Sequence, residues 1–593
     1  MANPIFYLIL LLFSLFLSVL PPFLHSSLTG LYFFHAFFQL LASASLLFLI
    51  DTLIRNHLIR SIFVVFTFFL FLLEVTHLTL ARLLDSSVNY VFQFLFGGGF
   101  ANFIPAWQAL NLNGWMTSFI FLALFTLPVL ALFLYRLTNQ KIQIPPLVPF
   151  FCLSIGSICE LTLPPLPIKV KSLPWGITAF QNEPEKFLLP SFLISHRSET
   201  ETLQKLSEKN IKTQSKLPNI YLFIVETFRK DFVTKLSAPT VFEFGEKNIY
   251  PKTCHANANS TFPSWFSILH SNFPHHWTSM RDEWKKGSIP LKIFKDFGYE
   301  LFTYASQDLR YFGLDELLFG KNRVLINQAF EAKHNESWGK DAACIDQFEK
   351  DLKTENRFHI FFLDSTHSEY STPPDFPQFF KPSVERIDYL LIDPNNIEPL
   401  KNRYRNSIRY IDSLFEKFLK ILESKNLLEE AIIVVTGDHG EEFFEDGALF
   451  HGTHLNEAQT SVPIIYQLPG MHFNQASDDS THLDILPTIL HTLSGIEDFS
   501  DLFDGESIFK KNRRPHRFAI HHNCANPPNE FWIGNATNHC HFRIVKTNKK
   551  ESLLEITSGE MSSEFLKNLF YKRAIKDLVQ IDSSSNKAFL GSP

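Results

Sequence analysis

Five apolar stretches in the first 168 residues each approach the roughly 20-residue length of a bilayer-spanning helix. They are PIFYLILLLFSLFLSVLPPFL from Pro4, LTGLYFFHAFFQLLASASLLFLI from Leu28, SIFVVFTFFLFLLEVTHLTL from Ser61, WMTSFIFLALFTLPVLALFLY from Trp115 and PPLVPFFCLSIGSICELTLPP from Pro145. A multi-span α-helical membrane domain over 1–168 is therefore expected. The first stretch has neither the basic n-region nor the small-residue cleavage site of a signal peptide, so it reads as a retained anchor. Phenylalanine is dense here, with 25 of the chain's 64 in these 168 residues.

The loops orient these spans. Arg55 and Arg60 lie between the second and third, and Arg136 and Lys141 between the fourth and fifth, while the other connections hold little beyond Arg82. By the positive-inside rule the even-numbered loops are cytoplasmic. Everything after about residue 168 is then expected outside the cytoplasm, which for a multi-pass protein of the inner membrane of a two-membrane bacterium means the periplasm. Residues 85–113, apolar but glycine-interrupted, read as a segment lying on or dipping into the outer face, with a plain loop as the alternative. Residues 169–216 are Pro-punctuated, then polar and helical (SETETLQKLSEKN), which suits a linker.

From residue 217 the pattern changes. Apolar, β-rich runs at 220–225 (IYLFIV), 300–305 (ELFTYA), 358–364 (FHIFFLD) and 431–437 (AIIVVTG) alternate with helical stretches such as RNSIRYIDSLFEKFLKILESKN. Continuous apolar strands separated by helices predict an α/β domain around a largely parallel sheet, here over 217–500, with 501–593 as its C-terminal extension. In such sheets ligands bind outside the carboxyl ends of the strands. Net charge is −6, from 54 Lys and Arg against 60 Asp and Glu, with no basic run, so no nucleic-acid partner is expected.

The strand ends carry the candidate chemistry. Glu226-Thr227-Phe228-Arg229 follows the first strand, Ser365-Thr366-His367 the third, and Asp438-His439, set among glycines, the fourth. Ser260 and Thr261 precede Pro263 and a helical run, which places a hydroxyl at a helix N-terminus, where an anion is favoured. A carboxylate, an Asp-His pair and a hydroxyl make an O,O,O,N set for a divalent ion, which would lower the hydroxyl's pKa and turn it into a nucleophile. Taken singly, each has a plainer role: a helix cap or surface charge for Glu226, an N-cap for Ser260 and Thr261, a loop histidine for His367. Cys254, Cys344, Cys524 and Cys540 lie in the exported part; Cys524 and Cys540 are the most plausible disulfide, with zinc binding by the surrounding His/Cys-rich segment 521–541 as the alternative.

The segments IVETFRKDF, NSTFPSWFSILHS, DSTHSEYSTP, VVTGDHGEEFFEDGALFHGTHLNEAQTSVPIIY and THLDILPTILHTLSGI resemble, in this order, the sulfatase-type branch of the alkaline phosphatase superfamily. Formylglycine sulfatases use a C/S-x-P-S-R motif; here the aligned residues are Thr261-Phe262-Pro263-Ser264-Trp265, which cannot form formylglycine. An exported domain behind five spans resembles instead the membrane phosphoethanolamine transferases and lipoteichoic acid synthases, although the Cys-Gly-Thr lead-in of the former is absent.

The resemblance implies that Glu226, Thr261, Asp438 and His439 bind the metal, zinc first and manganese second. It implies that Thr261 is the nucleophile, that His451 contacts the phosphoryl group, and that His367 binds phosphate or protonates a leaving group. Arg229 is assigned either to the site or to balancing nearby acids. The implied function is transfer of a phosphoethanolamine-type group from a phospholipid to a cell-envelope glycolipid through a phospho-threonine, with membrane lipids as donor and acceptor. The alternatives are hydrolysis of phosphate diesters or sulfate esters, and a catalytically inactive membrane scaffold.

Overall fold

A computed structural model describes chiefly residues 3–19, 29–84, 114–138, 147–163, 198–209 and 217–521, the last with short breaks, and strand segments between 530 and 590. Segment 85–113, most of the linker and Cys524 lie outside the described residues, and with them the Cys524–Cys540 pairing. The chain divides into two compact units, Met1–Glu185 and Lys186–Pro593.

Each apolar stretch of the first unit forms a helix: α1 (Pro4–Val19), α2 (Thr29–Leu53), α3 (His57–Leu84), α4 (Gly114–Leu137) and α5 (Leu147–Thr162). Among the described residues two segments, Phe34–Leu53 and His57–His77, are long and apolar enough to cross a membrane. Pro4–Phe16, Thr126–Leu137 and Leu147–Cys159 are shorter apolar helical segments. One polar knot ties three of these helices. Buried Asp51, near the end of α2, accepts hydrogen bonds from Arg60 Nε of α3 (3.0 Å) and from the Tyr135 hydroxyl of α4 (2.8 Å). Arg60 therefore neutralises an acid at a helix end as well as weighting its loop.

In the second unit, α6 (Glu199–Glu208) realises the helical reading of the late linker, and its Glu199 Oε1 accepts a hydrogen bond from the Lys285 backbone N–H at 2.8 Å. The strands in chain order are β1 (Ile220–Val225), β2 (Thr253–His255), β3 (Glu300–Ala305), β4 (Gln328–Glu331), β5 (Arg357–Leu363), β6 (Ile432–Gly437), β7 (Glu442–Phe443), β8 (Leu449–Phe450), β9 (Ile464–Gln467) and β10 (Asp479–Thr481). The central sheet runs β4-β3-β5-β1-β6-β9, parallel throughout except for β9, which pairs antiparallel with β6. The expected strands are all present. β4 and β9 were not anticipated: β4 is a short edge strand without an apolar run, and β9 is four residues long behind Pro463.

Every residue of β1, β5 and β6 is buried, because helices cover both faces. Tyr221 and Phe223 of β1 and Phe361 of β5 pack on Phe348 of α8 (Ser337–Asp351) and on Phe415 and Phe418 of α9 (Glu398–Ser424). On the other face Trp265 of α7 (Thr261–His270) lies over Phe362, with ring centroids 4.3 Å apart. Each such aromatic contributes roughly 1.5–3 kcal/mol of burial. Trp265 thus fills core space at the position where the sulfatase motif has its arginine.

The sheet order has a direct consequence for the site. The chain leaves β3, β5, β1 and β6 in adjacent positions at one edge, so Gln307, Asp364, Glu226 and Asp438 are brought alongside one another from four distant parts of the sequence.

The C-terminal extension carries a second, antiparallel sheet of six strands: β11 (Arg517–His521), β12 (Glu530–Gly534), β13 (His539–Lys546), β14 (Ser552–Ser558), β15 (Val579–Asp582) and β16 (Lys587–Leu590). The Ile520 N–H of β11 donates to the Asn257 carbonyl (3.0 Å), so this sheet braces the segment leading to Thr261.

Candidate active site

The residues at the ends of β1 and β6 and at the start of α7 meet in one buried cluster. Glu226 is the first residue beyond β1, and its N–H donates to the Leu363 carbonyl at 2.9 Å, continuing the ladder one step past the strand. Thr261 opens α7, and its hydroxyl donates to Glu226 Oε1 at 2.9 Å and lies 3.3 Å from His439 Nε2. His439 Nε2 is itself 3.1 Å from Glu226 Oε1. Asp438 Oδ1 accepts the backbone N–H groups of Thr227 (2.9 Å) and His439 (2.7 Å).

These contacts leave a surplus of acceptors. His439 Nδ1 sits 2.9 Å from the Gly440 carbonyl and so carries a proton there, which makes Nε2 a lone-pair donor in the neutral ring. That lone pair faces Glu226 Oε1, another acceptor. Asp438 Oδ2 is fully buried and has no hydrogen-bond partner, while lying 3.6 Å from His439 Nε2. A buried carboxylate oxygen is costly unless something compensates it. A divalent cation would satisfy all three atoms together, and nitrogen with oxygen donors suits zinc or manganese. His451 adds a fourth candidate: ligand atoms of Glu226, His439 and His451 lie within 4.8 Å of one another.

The titration of the two carboxyls states the same problem. Burial raises Asp438, and the charge of Glu226 raises it further, leaving it well above the ordinary carboxyl range. Burial also pushes Glu226 upward, but without a metal, when His439 is protonated at Nε2, its hydrogen bond and charge, with the charges of His367 and His451, outweigh that and hold Glu226 below the ordinary range. The cluster thus carries one firm anion and one reluctant one.

Local backbone supports this geometry. Thr227 has φ +53°, an unusual conformation for a β-branched residue, and its N–H reaches Asp438 from it. A Cβ on Gly440 would stand 2.0 Å from the Ala458 carbonyl oxygen, and one on Gly437 would stand 2.4 Å from that of Phe228. Gly440→Ala is therefore expected to cost about 3 kcal/mol and to displace His439. Thermal unfolding and metal content of the purified variant should both fall; an unchanged metal content would show that the turn tolerates the methyl group.

The other sequence candidates are placed as follows. His451 Nδ1 lies 2.7 Å from Glu441 Oε2, and its ring centroid is 4.3 Å from that of His439 and 5.3 Å from that of His367. The Tyr370 hydroxyl donates to Glu441 Oε1 at 2.7 Å, so Glu441 is anchored while it orients His451. Arg229 turns away: it pairs with Asp231 and Glu445 and donates to the Glu441 carbonyl (2.7 Å), which is the acid-balancing alternative.

Three residues were not singled out from the sequence. Glu441 stood inside the GDHGE block without an assigned role. Gln307 follows β3 and donates from Nε2 to Glu226 Oε2 (3.0 Å) and Asp364 Oδ1 (2.6 Å). Asp364 was the last residue of the expected strand 358–364. Position after a buried strand was the available signal for both, but the adjacency of β3, β5 and β1 was not readable.

Residues 218–496 match the Sulfatase family model. A lipoteichoic acid synthase-like protein, YvgJ, of Bacillus subtilis (strain 168) is 27% identical over 279 residues, covering 44% of this chain and 42% of that protein. Arylsulfatase K of Bos taurus is 30% identical over 125 residues, 19% of this chain and 23% of that protein. The matched segments thus span less than half the length of these relatives. Among solved structures, lipoteichoic acid synthase LtaP from Listeria monocytogenes aligns with TM-score 0.45 at 15% identity, over 63% of this chain and 95% of that one. The C-terminal periplasmic domain of EcEptC from Escherichia coli aligns with TM-score 0.41 at 14% identity, over 52% and 92%. Residues 218–496 of this chain thus form a Sulfatase-family domain.

Proposed function

We propose that this protein is a metal-dependent transferase anchored by five membrane spans, with its α/β domain on the outer side of the bacterial inner membrane. It moves a phosphoethanolamine-type group from a phospholipid to a cell-envelope glycolipid. Glu226, Thr261, Asp438 and His439 hold the metal, zinc first and manganese second. The observation that carries this reading is the Thr261 hydroxyl at a helix N-terminus, 2.9 Å from one buried carboxylate and 3.3 Å from a histidine nitrogen, beside a second carboxylate with an unpartnered oxygen.

A divalent cation bound there lowers the pKa of the hydroxyl and offsets phosphoryl charge. Thr261 Oγ1 then bonds to phosphorus, its proton passes to solvent, and the bond from phosphorus to the diacylglycerol oxygen breaks. His367 delivers a proton to that departing oxygen. The positive N-terminal end of α7, with His451 held by Glu441, steadies the phosphoryl oxygens. In the second half an acceptor hydroxyl gives its proton to His367, which lost one in the first half, and its oxygen bonds to phosphorus; the bond from phosphorus to Thr261 Oγ1 breaks, and Thr261 regains a proton from solvent. Donor and acceptor are both lipids, which gives the membrane domain its purpose.

Lipid mass spectrometry on cells expressing the full chain tests the reading. A phospho-alcohol increment on a glycolipid, together with released diacylglycerol, is expected. Diacylglycerol or free headgroup with no modified acceptor would make water the acceptor and replace the transferase by a hydrolase.

A further inference from the structure

We propose that Asp364 selects the donor headgroup, its carboxylate taking the ammonium of a cationic aminoalcohol phosphate in preference to a neutral polyol phosphate. This rests on the phosphoryl-transfer reading above and names the substrate chemistry of that same site.

The two oxygens of Glu226 face different surroundings. Oε1 takes the Thr261 hydroxyl and lies against His439, so it belongs to the reacting centre. Oε2 takes Gln307 Nε2 at 3.0 Å, and the same nitrogen is 2.6 Å from Asp364 Oδ1. Asp364 is therefore no more than 5.6 Å from a residue of the proposed metal set, without belonging to that set.

Asp364 is half-buried and lacks a matching cation. Its second oxygen accepts the Ser337 hydroxyl at 2.6 Å. Both donors, an amide and an alcohol, are neutral, and among the described residues no Lys or Arg forms an ion pair with it. Burial and the charge of Glu226 push its carboxyl upward, only partly countered by His367. A carboxylate has about four lone-pair directions, so two neutral donors leave room for more. A two-carbon amine arm reaches about 4–5 Å from phosphorus at ~1.5 Å per bond, comparable with the separation of at most 5.6 Å between the Glu226 and Asp364 carboxylates that Gln307 Nε2 bridges. Around the phosphoryl position stand His367, His439 and His451; beside it stands a carboxylate without a cation. A ligand that is anionic at phosphorus and cationic at its far end is complementary to that arrangement, whereas a glycerol-type headgroup would leave Asp364 uncompensated.

The competing role for Asp364 is purely positional: it would anchor Gln307, and through it Glu226. Binding to the full-length, metal-loaded protein in detergent separates the two. Isothermal titration with O-phosphoethanolamine and with glycerol 1-phosphate should show the amine-bearing probe bound about tenfold or more tightly by the native protein. Asp364→Asn should erase that gap while leaving glycerol 1-phosphate within about twofold of its native affinity. Equal affinities for the two probes in the native protein would overturn the proposal, whatever the variant does. Equal weakening of both probes by the variant would overturn it as well and assign Asp364 to support of Glu226. Neither measurement needs turnover, so failure of headgroup selection is distinct from failure of group transfer, which the lipid analysis reads on its own.

Discussion

Thr261→Ala is expected to abolish the proposed group transfer, with a loss of at least about 10⁴-fold and no loss of the fold. The magnitude follows from removing the atom to which phosphorus bonds; variants lacking a nucleophile fall by several orders of magnitude because residual catalysis comes from binding and electrostatics alone. The fold survives because Thr261 is the first residue of α7: its side chain is half-exposed, and the helix is held by the buried residues that follow, Trp265, Phe266, Ile268 and Leu269. Glu226, Asp438 and His439 remain, so metal content should fall modestly at most. The decisive measurement is intact-protein mass spectrometry after incubation with donor lipid. Native protein should carry a phospho-alcohol adduct on the peptide containing Thr261, and the variant should carry none. An adduct of equal yield on the variant, or transfer at more than a few per cent of the native rate, would rule out the phospho-threonine.

How much of this could be read from the sequence depended on whether a feature was local. Ile220–Val225 announced itself as a buried strand because all six residues are apolar, and Glu226 at its end was visible for the same reason. The Asp438-His439 pair was marked by its strand and by the glycines, whose necessity becomes plain only when Ala458 and Phe228 are seen 2.0 and 2.4 Å from where a Cβ would stand. The order β4-β3-β5-β1-β6-β9 was not legible, since strand adjacency depends on crossovers that leave no local trace. Gln307 and Asp364 were therefore invisible as members of the site, although Asp364 directly follows β5 and Gln307 lies two residues beyond β3. Arg229 shows the converse limit. Its place three residues after Glu226 suggested the site, but two nearby acids, Asp231 and Glu445, outbid it for the guanidinium. The C-terminal sheet was missed because its strands are mixed in polarity, without the apolar run that marks β1.

Metal removal should destabilise the catalytic unit, and the destabilisation should grow as pH rises from about 5 to 8. The sign comes from the two carboxyls. Asp438 has a folded pKa raised by burial and then by Glu226, against about 3.9 when unfolded. A raised acid costs stability progressively as pH climbs from its unfolded value through its folded value, because ionising it is harder in the folded state. Glu226, lowered by its hydrogen bond to His439 despite burial, behaves oppositely: its contribution is complete above the unfolded value of about 4.3 and is lost only as pH falls through its folded value. Between pH 5 and 8 the slope from this pair is therefore set by Asp438. Buried His359 and His482, both lowered to about 3 by burial, and His270, lowered to about 4, add an opposite slope below about pH 6.5. That slope is common to the metal-free and metal-loaded protein and cancels in their difference. A bound cation relieves the Asp438 cost, and ligands that must lose protons bind it more tightly at higher pH, so the two effects share a sign. At a free metal concentration 1,000 times Kd the stabilisation is about 4 kcal/mol, or roughly 10 °C at ~2–4 °C per kcal/mol. Calorimetry of the chelated and reloaded full chain should show the gap in Tm widening across this range; a flat or narrowing gap would refute the account. Asp438→Asn sharpens the test, because it replaces the unpartnered Oδ2 with an amide that can donate toward Glu226. The metal-free variant at pH 8 should melt above the metal-free native protein while gaining nothing from added zinc, so that a single atom exchange stabilises the fold and eliminates the site.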